Sequence, residues 1–190
     1  LDEAQSADMR AFYDAWYGPN NATLVLVGDL QPARAQALVQ EHFGSLSRCQ
    51  LPKRAHLTVP PLTTELKAQL QDPIASQPAL LLGWLSPAIY SDEDAVADLL
   101  AHILSQRMTR RLRNQIPVAV SAHASQVSQA MQSVFQVMVL LRGANGHGKA
   151  QTLVDALLSE LQQGTVDETE LEQAKLWFKT DLYSDLENPV

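Results

Sequence analysis

VAVSAHASQV at residues 118–127, SQAMQ at 128–132 and SVFQVMVLL at 133–141 form the stretch whose reading decides the fold. Both flanking segments are short, rich in valine and apolar residues, and separated by five residues, four of them polar or small. Two such runs joined by so short a connection read as neighbouring strands of an antiparallel hairpin. Working upstream, Pro78 starts an apolar run at 79–85, closed by Ser86-Pro87, and a half-buried strand is predicted at 64–71 from the alternation of Leu66, Ala68 and Leu70. A further short run at 22–27, bounded by Gly28-Asp29, predicts a buried strand.

Helical periodicity fills the intervals. Met9, Phe12, Tyr13 and Trp16 recur at i, i+3, i+4 and i+7. Pro32 opens a helix with Ala35, Leu38, Val39, His42 and Phe43 on one face, and Gly44 stops it. Ser91 caps a helix whose predicted apolar face is Val96, Leu99, Leu100, Ile103 and Leu104; a second helical piece at 108–115 stops before Pro117. Leu153, Val154, Leu157, Leu158 and Leu161 form another face, ended at Gly164. The segment Thr165-Val166-Asp167-Glu168 opens the last helix, with Leu171, Ala174, Trp177, Phe178 and Leu182. Residues 46–61 carry three prolines and no periodicity, and read as an extended surface connector. Strands in pairs with helices between them predict an α+β fold: an antiparallel or mixed sheet with helices packed on one face. One domain over 1–190 is expected.

The composition bounds the function. The chain has 190 residues, 46% of them hydrophobic, enough for a real core. A net charge of −7 argues against a nucleic-acid partner. Arg107, Arg110, Arg111 and Arg113 cluster, and a solvated helix surface accounts for them. Cys49 is the single cysteine, so an internal disulfide is impossible, and it reads as incidental. No apolar run approaches the ~20 residues needed to span a bilayer. Both ends, Leu1 on a helical pattern and Pro189-Val190 just past another, read as cut points in a longer chain.

A search for catalytic patterns returns nothing. The five histidines, His42, His56, His102, His123 and His147, include no pair within four residues, whereas a helical zinc pair needs i, i+4 spacing. His42 reads as a packed histidine and His102 as exposed. Gly143-Ala144-Asn145-Gly146-His147-Gly148-Lys149 lies between a strand and a helix but lacks phosphate-loop spacing, so its glycines read as a turn. No Gly-x-Ser-x-Gly occurs. The acids Asp92-Glu93-Asp94 and Asp167-Glu168-Glu170 sit at helix starts, where capping and the helix dipole account for them.

The stretch Ala11-Phe12-Tyr13-Asp14-Ala15-Trp16-Tyr17-Gly18-Pro19-Asn20-Asn21, running on through Ala22 to Gly28-Asp29, then Pro32 and Glu41-His42-Phe43-Gly44, resembles the insulinase/pitrilysin family of zinc peptidases. The strand at 77–85, the helices from Ile103-Leu104 to Leu112-Arg113, and the turn from Gly164 to Leu171 are similar to later landmarks of that family, so the resemblance covers nearly the whole chain. It implies the non-catalytic domain of a zinc metalloendopeptidase, a wall of a peptide-binding chamber, with residues 1–20 as the end of the preceding linker helix. It implies no cofactor in this segment and zinc in the preceding domain, held by a His-x-x-Glu-His motif that is absent here. The implied partners are a catalytic domain, in the same chain or a partner subunit, and unfolded peptide; no nucleic acid and no membrane span are expected. The implied substrate-binding position is Arg113, but its tyrosine partner position is Val120, and Ser105-Gln106-Arg107 replaces a glycine-rich turn. This departure raises the alternative of an inactive paralogue acting as scaffold or partner subunit. Export to the periplasm is the expected localisation, with the cytoplasm as the alternative.

Overall fold

The computed structural model describes residues 3–53, 58–164 and 166–187. The chain divides into two compact units, Leu1–His56 and Leu57–Val190. His56, Thr165 and the two chain ends, singled out in the sequence, lie outside the described residues.

In the first unit, α1 (Ser6–Trp16) leads through a single 3-10 turn (Pro19–Asn21) to α2 (Pro32–Phe43), with proline in its first turn as expected. The tight turn is pinned by side chains. Asn21 Nδ2 donates to the Trp16 carbonyl at 2.8 Å, satisfying an orphan acceptor at the end of α1. Asn20 brackets Cys49: its Oδ1 accepts from the Cys49 amide at 2.9 Å and its Nδ2 donates to the Cys49 carbonyl at 3.1 Å. Cys49 is thus half-buried in a specific contact.

The predicted buried strand at 22–27 is not formed. The run has no ladder partner among the described residues, and its side chains are exposed, Val27 to 90%. An apolar run carries a tendency to be covered, but a strand exists only where another strand accepts its hydrogen bonds. The predicted strand at 64–71 fails for the same reason, with Leu66 79% and Leu70 90% exposed.

The second unit contains β1 (Ala79–Ser86), α3 (Asp92–Met108), a π-helix (Thr109–Gln115), β2 (Ala119–Val127), β3 (Ser133–Leu141), α4 (His147–Gln162) and α5 (Glu168–Glu187). The strands form an antiparallel sheet in the order β1-β3-β2, and the hairpin read from the sequence is the β2–β3 pair. Period-2 alternation sends Phe135, Val137, Val139 and Leu141 to one face, where they pack with Ala119, Ala122, Ala124, Leu104, Met108, Leu112, Val154 and Leu157. Each fully buried leucine or valine contributes about 1.5–3 kcal/mol. The fold is therefore α+β, with helices on one side of an antiparallel sheet.

Helix α3 buries part of the predicted face, at Ile103 and Leu104, but is rotated so that Ala97 and Ala101 lie inward in place of Val96 and Leu100. Its buried residues are Asp94, Ala97, Ala101, Ile103, Leu104 and Met108, while Val96 and Leu100 are exposed. Small residues at 97 and 101 let the helix lie close on the alanine-rich β2, so close approach outweighs side-chain bulk. Ser91 caps α3 as expected, accepting from the Asp94 amide at 3.2 Å. The expected helical piece after it is the π-helix, continuous with α3. Gly164 closes α4 with φ of 74°, a left-handed conformation suited to glycine.

Candidate functional site

Three arrangements in the second unit combine polar chemistry with defined geometry. The first joins α3, the π-helix, α4 and α5. Arg107 is not a solvated surface residue, as its sequence context suggests; its side chain is 12% exposed. Its Nε donates to Glu170 Oε1 at 2.9 Å and its Nη2 to Glu170 Oε2, while Nη1 lies 4.0 Å from Glu160 Oε2. The Glu170 carboxylate holds the guanidinium firmly protonated, its pKa above the usual value. Arg111 Nη2 donates to Glu160 Oε1 at 3.2 Å. These groups and Arg110 line a cleft of about 390 Å³. No spacing in the sequence announces a clasp between residues 63 positions apart.

Arg113 lies on the π-helix and is exposed, making no ion pair among the described residues. Val120 lies at the start of β2, where the β2–β3 register shifts between Ala119 and Ser121. Its aliphatic side chain carries no hydroxyl for a polar contact.

The histidines disperse. His42 is exposed rather than packed, because the α2 stripe that carries it is itself exposed within its unit, as at Leu38 and Phe43. His102, expected in solvent, is half-buried, with ring centroids 4.5 Å from Trp177 and 5.9 Å from Phe178. Burial lowers its pKa below 6.5. The cover comes from α5, which the sequence of α3 cannot reveal. His147 Nδ1 lies 3.0 Å from the Ala144 carbonyl oxygen, in a 3-10 turn (Ala144–Gly146) that leads into α4.

His123 Nδ1 lies 3.4 Å from Ser105 Oγ, outwardly a nucleophile–base pair. The hydroxyl is already committed: it donates to the Ala124 carbonyl at 3.0 Å and accepts from the Ala124 amide at 2.8 Å. Its proton is not offered to the imidazole. Among the described residues no three His, Cys, Asp or Glu side chains gather as a metal would need.

The second arrangement sits at one end of the sheet. Asp94 accepts from Ser128 Oγ at 2.7 Å, Gln126 Nε2 at 2.9 Å and the Tyr90 amide at 3.3 Å. Those hydrogen bonds, Ser128 first, hold its carboxyl below the usual value of 3.8. Asp94, one of three acids in the first turn of α3 as expected, also ties the β2–β3 turn to that helix. The Ile89 amide, donating to the Gln129 carbonyl at 3.0 Å, adds a second tie. Tyr90 between them adopts φ of 66°, outside the ordinary range for a bulky residue.

The third is the sheet face without helices. Cross-strand register aligns Leu81, Met138 and His123 in one row, Gly83, Gln136 and Ser125 in the next, and Leu85, Val134 and Val127 in a third. Leu81 is 65% and Met138 46% exposed. Gln136 Nε2 donates to Ser125 Oγ at 3.0 Å, so an apolar surface is crossed by a polar row. Alternation in the sequence implies such a face; only the packing shows which one is open.

Known proteins give this geometry a family. The family described as Peptidase M16 inactive domain matches residues 4–176. The chain is 25% identical to the zinc protease PqqE of Helicobacter pylori, over 99% of this chain and 44% of that protein. It is 27% identical to the probable zinc protease PqqL of Escherichia coli, over 85% of this chain and 18% of that one. It thus spans less than half the length of either. A solved Helicobacter pylori protease superposes with a TM-score of 0.80 at 25% identity, over 98% of this chain and 47% of that one. A peptidase M16 inactive domain from Pseudomonas fluorescens shares the fold, with a TM-score of 0.70 at 18% identity, over 93% and 43%. No described helix is long and apolar enough to cross a membrane. The chain belongs to the Peptidase M16 inactive-domain family.

Proposed function

We propose that this chain is the non-catalytic domain of a zinc metalloendopeptidase, packed against a metal-bearing domain and forming part of the wall of its peptide-binding chamber. The open sheet face carries the reading. Its row of exposed Leu81 and Met138 beside the polar Gln136–Ser125 row suits unfolded peptide, which presents both apolar side chains and unpaired backbone groups. The exposed apolar run at 22–27 in the first unit supports a neighbouring domain as its cover, since patches of this kind mark interaction surfaces. Zinc belongs to that neighbour in this reading, and Arg113 is the residue here that would reach substrate. One domain over 1–190, built of two compact units, is part of the proposal. The periplasm is the proposed compartment, by analogy with PqqL of Escherichia coli, a periplasmic protease.

Photocrosslinking tests the reading. A benzoyl-phenylalanine placed at Met138 in the parent protein is expected to capture unfolded casein, and one at Val96 on the helical side is not. Capture at Val96 alone overturns the chamber-wall role. Stoichiometric zinc with peptide cleavage in the isolated chain overturns the non-catalytic role.

A second reading, an inactive paralogue serving as scaffold or partner subunit, is favoured by Val120 standing where a tyrosine partner for Arg113 is expected. A His-x-x-Glu-His motif upstream in the parent gene ends it.

A further inference from the structure

The outer edge of β2 is covered by a side chain of α3. The Leu141 amide donates to the Pro78 carbonyl at 2.8 Å, so Leu141, Val139 and Val137 direct their backbone groups toward β1. The alternate residues Leu140, Met138 and Gln136 then face β2. Through the β2–β3 register, His123 and Ser125 bond to β3, while Ala122, Ala124 and Gln126 present amide and carbonyl outward. At Ala124 both outward groups are occupied: Ser105 Oγ accepts from the amide at 2.8 Å and donates to the carbonyl at 3.0 Å. Ala122 and Ala124, both buried, are short enough for α3 to approach this edge. At the near end Arg142 Nε donates to the Ala119 carbonyl at 3.1 Å.

We propose that Ser105 is an edge lock, a hydroxyl that keeps β2 from accepting an extended polypeptide as an added strand. Strand addition needs successive outward residues to bond in turn. With the central one of three engaged, only isolated positions are left on either side. Unpaired edges invite such addition, and folded proteins cover them. This goes beyond the chamber-wall reading and does not depend on it. It assigns a purpose to the serine standing where a glycine-rich turn is expected.

The test is residue-resolved amide exchange on the whole chain, with Ser105→Ala and Ser105→Thr variants. Alanine favours the helix, so α3 is kept. The Ala124 amide is expected to exchange about tenfold faster in Ser105→Ala, the loss of one net hydrogen bond. A synthetic peptide of alternating threonine and valine ending in lysine is then added. It is expected to slow exchange at Ala122, Ala124 and Gln126 in Ser105→Ala alone. Protection of those amides in both wild type and Ser105→Ala, or in neither, overturns the proposal. So does a Ser105→Thr variant, which keeps the hydroxyl, that behaves like Ser105→Ala.

Discussion

Arg107 and Glu170 meet as a two-pronged ion pair, with side chains only 12% and 22% exposed, joining the end of α3 to the first turn of α5. Geometry of this kind is shared by both nitrogens of the guanidinium edge, so neither partner can be shortened without loss. Removing one partner leaves a charge in a place that water reaches poorly.

Glu170→Ala is therefore expected to destabilise the chain by about 2 kcal/mol, between the values for exposed and for fully buried pairs. Glu160, 4.0 Å from Nη1, moderates the loss. Arg107→Lys should cost nearly as much, since an ammonium cannot fill both bonds. Urea unfolding measures both, and a change below about 0.3 kcal/mol for Glu170→Ala, the scale of an inconsequential exposed pair, would show that the clasp does not matter.

Asp94 makes stability depend on pH in a definite direction. Its folded pKa lies below the ordinary 3.8, held there by Ser128 and Gln126 first. A depressed folded value means that the unfolded chain binds the proton more readily. The contribution is thus complete above the ordinary carboxylate range and is lost as the pH falls through the depressed value. Asp94→Asn should lower the melting temperature at neutral pH, and the gap from wild type should narrow as the medium is acidified. A gap that stays constant with pH would assign the effect to shape rather than charge.

Gly18 is required by Cys49. A Cβ at position 18 would lie 1.8 Å from Cys49 Sγ, a distance that no packing adjustment of a few tenths of an ångström relieves. Gly18→Ala is expected to cost about 1–3 kcal/mol, as overpacking does. Cys49→Ala, which removes the sulfur, should recover part of that in the double variant, so the two changes are non-additive. Amide exchange along residues 13–21 reads the outcome. Additive effects would mean that the glycine serves the backbone and not the contact.

Much of the second unit was legible in the chain. The valine-rich runs at 118–127 and 133–141, joined by five residues, mark the hairpin, and Ser91 and Gly164 mark helix ends, as Pro32 does in the first unit, because caps and turns are chemistry between near neighbours. The inward face of α3 is legible at Ile103 and Leu104, which are buried, but not at Val96 and Leu100, which are exposed. The alanines at 97 and 101 stand inward there, where α3 lies on the small residues of β2, beside the buried Leu104 and Met108. The strands expected at 22–27 and 64–71 were apolar in pattern but had no pairing partner among the described residues.

By itself, the sequence determined the α+β class, the antiparallel hairpin, the cap at Ser91 and, through the landmarks around Tyr17-Gly18-Pro19-Asn20-Asn21, the family. Only the tertiary structure decided that Arg107 is clasped rather than solvated, that His102 lies under Trp177, that Ser105 is spent on Ala124, and which sheet face stays open. The physical reason is distance along the chain. Local periodicity and capping are written within a few residues, whereas these contacts join groups 19 to 75 positions apart whose meeting depends on how α3 and α5 lie against the rest of the unit.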